Sequence, residues 1–173
     1  ILNTSYPMPL AETASIFCET IVRNAVLKNA DNDLKLSILE NSLSSATQVI
    51  VDILSRYYFE TAVFEERKDH PLSVAELKEL MINAQKRAYG DGLDENYLHP
   101  FMWLNKNHYY YATRNFYNFP YAFGLLFATG LYAKYLTDPA QFLPKYDEML
   151  KATGKMNIVE VCAIMDINPE DEA

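Results

Sequence analysis

PLAETASIFCETIVRNAVLKN, residues 9–29, decides the fold. Leu10, Ala14, Phe17, Ile21 and Ala25 recur with the spacing of one helical stripe, and Ile16, Val22 and Val26 fill the opposite side. The spacing predicts a helix from Pro9 to about Asn29, buried nearly all round. Asp31 or Asn32 can cap a second helix, in which Leu34, Ile38, Leu39, Val49, Ile50, Ile53 and Leu54 carry the period toward Phe64. Ser73 followed by Glu76 is a capping box for a third, amphipathic helix through Leu77, Leu80, Met81 and Ala84, with Gly90 at its end. Tyr89 to Tyr97 reads as a loop, and Leu98 to Tyr111 as an aromatic, irregular stretch. Pro120 sits near the start of a helix that ends around Thr137, and Asp138-Pro139 opens the next. A short helix from Asn157 to Met165 comes last. No alternating pattern of useful length competes with these periods, so the predicted class is all-α, a multi-helix bundle.

At 173 residues, half of them hydrophobic, the chain is long enough to bury a sizeable core, and residues 1–173 are expected to form a single domain. A net charge of −8 argues against nucleic acid and anionic lipid as partners, because both are held by clustered Lys and Arg. Asn115 to Ala133 carries no charge, yet its asparagines, Pro120 and tyrosines suit a buried helix better than a membrane span. Cys18 and Cys162 lack paired spacing and read as small core residues, in keeping with a reducing cytoplasm. The chain opens at Ile1 with no basic segment or cleavage site of a leader, and Ile1 reads as an internal cut.

Two constellations carry chemistry. Glu12, Ser15 and Glu19 lie at i, i+3 and i+7 and project from one helix face. A carboxylate taken from water there must be paired, hydrogen-bonded or bound to a metal. The other reading is an exposed stripe whose glutamates are held by Arg23 or by lysines elsewhere. The second constellation is His108-Tyr-Tyr-Tyr111 followed by Phe116-Tyr117-Asn-Phe-Pro120-Tyr121-Ala-Phe-Gly124. Seven of the thirteen tyrosines fall between positions 109 and 135. Such a density fits an aromatic core with hydroxyls reaching water, or a cleft wall whose phenols donate to a developing oxyanion. His70 and His99 each stand close before a proline and read as turn or surface residues. Glu66 and His70 are four apart, but without a second such pair a di-metal bundle is unsupported.

Glu12-x-x-Ser15-x-x-x-Glu19 resembles the glutamate helix of the M3 family of zinc oligopeptidases, and the block from His108 to Gly124 is similar to its oligoendopeptidase-F-like branch. The likeness extends over the long second helix and the stretch from Thr153-Gly154 to Asn168-Pro169. The resemblance implies the C-terminal part of a catalytic domain, with Glu12 as the third zinc ligand and Glu19 as an acceptor orienting a ligand histidine. Those histidines, with a glutamate as general base, belong to an HExxH motif. None occurs in this chain, so the motif is expected in the parent chain upstream of Ile1.

By the same resemblance Tyr117 and Tyr121 stabilise the tetrahedral intermediate, His108 acts there and on the substrate backbone, and Tyr111 helps bind substrate. Tyr117 and Tyr121 stand four apart, which departs from the thimet-like branch. The implied activity is hydrolysis of short peptides, with this chain inactive by itself. The alternatives are a non-catalytic helical module that binds a peptide or partner helix, and a different helical metalloenzyme.

Overall fold

A computed structural model describes residues 4–171, and every regular element among them is helical. Internal contacts divide the chain into two compact units, residues 1–41 with 120–173 and residues 42–119.

The first unit holds α1 (Thr13–Asn29), the opening turns of α2 (Asn32–Thr47), almost all of α5 (Phe119–Thr137), α6 (Pro139–Ala152) and α7 (Ile158–Ile164). Phe17 of α1 inserts among Tyr135, Phe142 and Tyr146, its ring 4.9 Å from that of Tyr146. Around this aromatic centre Phe127, Leu131, Met149 and Val161 are buried. The helix start foreseen at Asp138-Pro139 is present, and α7 opens with a cap of its own. The Asp138 carboxylate accepts from Ala140 N–H and Gln141 N–H with Pro139 in the first turn of α6, and Asn157 and Glu160 form a reciprocal capping box for α7.

In the second unit α2 passes through a π-helical stretch, Gln48–Asp52, into α3 (Ile53–Glu66). The Asp31 carboxylate accepts from Leu34 N–H at the start of α2, so the foreseen cap and the long helix to beyond Phe64 are both observed. α4 (Val74–Tyr89) opens with the Ser73–Glu76 capping box and ends at Gly90, whose φ of +58° only glycine takes up without strain. Phe59, Met81 and Ala84 form the core between α3 and α4. Beyond α4 the chain continues in short 3-10 turns anchored by Gln85, which is buried. Its amide donates to the His99 carbonyl at 3.0 Å and accepts from His99 N–H at 3.1 Å.

Two expectations need correction. α1 is not buried all round: Thr13, Phe17 and Thr20 form one buried stripe, whereas Val22 is 62% exposed and Val26 also lies open. Apolar residues on both sides of a helix do not tell which side packs, and within this unit a single side meets the core. Cys18 follows Phe17 by about 100° around the helix and is exposed, so it is no core residue. Cys162 is buried as foreseen, and burial pushes its thiol pKa up to about 11. No helix of the described residues is long and apolar enough to cross a membrane.

Candidate active site

Glu12 stands at the N-cap of α1, one residue beyond the 3-10 turn Met8–Leu10, which Ala11 closes. Its carbonyl accepts from Ile16 N–H at 3.0 Å, and Ser15 Oγ lies 2.9 Å from that carbonyl and 3.1 Å from Glu12 Oε2. The serine of the motif therefore touches both the backbone and the carboxylate of the glutamate three residues before it. Gly124 of α5 is what allows this helix start to lie so close. A Cβ built there would come within 3.2 Å of Glu12 Cβ and of Ile16 Cδ1. Tyr121 is one turn before Gly124, on the same side of α5.

Glu12 is half-buried and Ser15 exposed. The Glu19 carboxylate is 67% exposed and stands 3.7 Å from Arg23 Nη1, a solvated pair of the kind that contributes little to stability. The carboxylate stripe is thus graded from a half-buried helix start to open solvent. As a cation site Glu12 offers one hard oxygen donor. No three His, Cys, Asp or Glu side chains cluster as a metal site among the described residues.

In the second unit His108 lies in the 3-10 turn Asn107–Tyr110, its ring 4.3 Å from that of Tyr109 and 5.9 Å from that of Tyr117. The Arg114 guanidinium sits 5.1 Å from the centre of the Tyr111 ring and 5.8 Å from that of the Tyr117 ring. His108, Tyr111 and Tyr117 are accordingly neighbours. Partial burial lowers the His108 pKa, and the positive Arg56 and Lys106 lower it further, which favours the neutral imidazole. The stability contributed by that neutral form is present above its ordinary value near 6.5 and is lost as the pH falls. Beside this group runs a cleft of about 420 Å³ lined by Phe59, Glu60, Trp103, Tyr109 and Tyr111 among others.

Sequence reasoning missed the buried charges beneath His108 and Tyr117. Asp52, Arg56 and Glu60 follow one another every four residues along α3 and its approach, all on one buried face. Arg56 pairs with Asp52 and donates to Asn118 Oδ1 at 3.0 Å, and Glu60 Oε1 accepts from Phe116 N–H at 2.9 Å. Burial raises the Glu60 pKa, and the Phe116 N–H partly offsets that rise. The sequence carried a partial signal, since charged residues recur there at every fourth position, but their partners lie more than fifty residues away in a loop. His70 and His99 are exposed, as foreseen, and His70 Nε2 lies 2.7 Å from Glu76 Oε1.

Comparison with known proteins places this helical arrangement. The model of peptidase family M3 matches residues 1–173, and the chain belongs to that family. Within it, the chain is similar to an oligoendopeptidase F homolog of Lactococcus lactis subsp. lactis (strain IL1403), 29% identical over 167 residues, which are 95% of this chain and 27% of that protein. The plasmid oligoendopeptidase F of Lactococcus lactis subsp. cremoris is also 29% identical, over 96% of this chain and 28% of its own length. The crystal structure of oligoendopeptidase-F from Enterococcus faecium superposes with a TM-score of 0.78 at 25% identity, over 94% of this chain and 31% of that one. The chain therefore spans under a third of the length of the relatives it matches.

Proposed function

We propose that residues 1–173 are the C-terminal part of the catalytic domain of a zinc metalloendopeptidase that hydrolyses short peptides in the cytoplasm. Support comes from the family match over the whole chain together with Glu12, whose motif serine touches its carboxylate and whose helix start rests on Gly124. In this reading Glu12 holds the metal with two histidines of an HExxH motif upstream of Ile1. When bound, zinc supplies Lewis-acid polarisation and makes water acidic enough to react near neutral pH.

The remaining chemistry falls to this chain's own side chains. The phenols of Tyr121 and Tyr117 donate hydrogen bonds to the oxygen that gains negative charge as the peptide carbonyl is attacked, and such donors act most strongly in a site that excludes water. His108, whose neutral form burial favours, has in that form one N–H to donate and one nitrogen to accept, which suits binding of substrate backbone beside Tyr111. Glu19, at present beside Arg23, orients a ligand histidine in the intact site. Both compact units belong to one domain in this reading.

Metal analysis of the intact protein tests it. Glu12→Ala should lose its stoichiometric zinc and its activity, and Glu19→Ala should weaken zinc binding about 10–100-fold. A Glu12→Ala protein that keeps a full equivalent of zinc at wild-type affinity overturns the assignment.

A further inference from the structure

We infer that Arg56 and Glu60 are positioning residues that fix Tyr117, and with it the ring of His108, by holding the chain on both sides of Tyr117. The inference rests on the reading above for its catalytic consequence, though the geometry stands by itself. Asp52, Arg56 and Glu60 are 6%, 8% and 7% exposed. Charges so far from water are costly, and well-packed apolar residues of the same volume often serve stability as well or better. What these charges provide is direction. Glu60 Oε1 accepts from the N–H of Phe116, at 2.9 Å, and Arg56 Nη1 donates to Oδ1 of Asn118, at 3.0 Å. The other end of the guanidinium is held by Asp52, so the fork cannot swing freely. Tyr117 is the one residue between the two held positions.

The backbone at Phe116 supports the same conclusion. Its φ of +55° lies in the left-handed region, which a bulky side chain enters only where its surroundings enforce it. Here they do so from α3: the Glu60 carboxylate takes its N–H, and its ring packs against Tyr57 at 5.5 Å and Phe64 at 5.7 Å. Tyr57, Glu60 and Phe64 lie on consecutive turns, so one helix face grips one residue. The turn at Phe116 then sends Tyr117 toward His108, with ring centres 5.9 Å apart.

The test uses the intact protein with a short internally quenched peptide as substrate and 3-fluorotyrosine placed at position 117. Glu60→Leu and Arg56→Met should shift the fluorine resonance and lower kcat about 10²-fold, with KM changed much less. Glu60→Gln keeps an acceptor for the Phe116 N–H and should restore both the resonance and most of kcat. In a Tyr117→Phe background Glu60→Leu should cost little further, since residues acting through one another are not additive. Should Glu60→Leu fail to fold, Asn118→Ala removes the Arg56 acceptor without emptying the core and should show the same shift. An unmoved resonance in the folded variants overturns the inference, as does equal loss in Glu60→Gln and Glu60→Leu. A shifted resonance with unchanged kcat upholds the positioning and removes Tyr117 from the reaction.

Discussion

A single hydroxyl separates a catalytic tyrosine from a structural one. Tyr121 stands one turn before Gly124, the residue that packs on Glu12, and so occupies the side of α5 on which the α1 start rests. If that phenol donates to the developing oxyanion, Tyr121→Phe should lower kcat by about 10²–10³-fold and leave KM nearly unchanged, as loss of one such donor does. A tyrosine that serves packing behaves otherwise, giving up at most about 1–2 kcal/mol of stability while turnover persists. Measuring kcat, KM and melting temperature together for Tyr121→Phe, Tyr117→Phe and His108→Ala in the intact protein distinguishes the cases. Near-wild-type kcat in all three would take the aromatic segment out of the active site and leave the assignment resting on Glu12. Tyr109 illustrates the packing kind. Its hydroxyl is buried, burial raises its pKa, and its ring lies 5.6 Å from Phe59 in the core of the second unit.

Between elements, the telling contact is Gly124 against the start of α1. Alanine at this position gains about 1 kcal/mol of helix propensity. Its methyl would press on Ile16 Cδ1, which can turn aside, and on Glu12 Cβ with the Glu12 carbonyl carbon at 3.4 Å, which move only with the backbone. Gly124→Ala should therefore leave the melting temperature of the intact protein within a few degrees while displacing Glu12 and weakening zinc binding about 10-fold or more. Zinc titration and calorimetry on one preparation check both halves, and unaltered zinc affinity would show that α1 yields without moving the carboxylate. How far such relations can be read from sequence depends on their range. Caps at Asp31, Ser73 and Asp138 were legible because each closes on a backbone N–H two or three residues away. The side of α1 that packs was not, since Val22 and Phe17 are equally apolar and only a neighbour decides between them. Glu12 and Gly124 were each conspicuous in the sequence, yet their contact spans over a hundred residues. The buried face of Asp52, Arg56 and Glu60 went unread because its partners, Phe116 and Asn118, arrive from a loop with no period to announce it.

At the scale of the whole chain, the distribution of ligands sets what residues 1–173 can do by themselves. A catalytic zinc site needs three protein ligands and an open position. Among the described residues no such cluster forms, and the family relatives in which the chain finds its match are more than three times as long. Glu12 by itself, half-exposed at a helix start, is a single oxygen donor competing with water. The isolated chain should therefore bind zinc weakly and should not cleave peptides, even where circular dichroism shows its helices intact. The intact protein should do both, and addition of a chelator should remove its activity. Calorimetric titration of the isolated chain with zinc gives the deciding number. Tight one-to-one binding that disappears in Glu12→Ala would mean that residues 1–173 complete a site by themselves. Cleavage of a short peptide by the isolated chain, stopped by a chelator, would mean the same for catalysis. Heat without saturation is the expected result, because the geometry that binds a metal tightly lies in the number of ligands converging on it and not in the quality of any one.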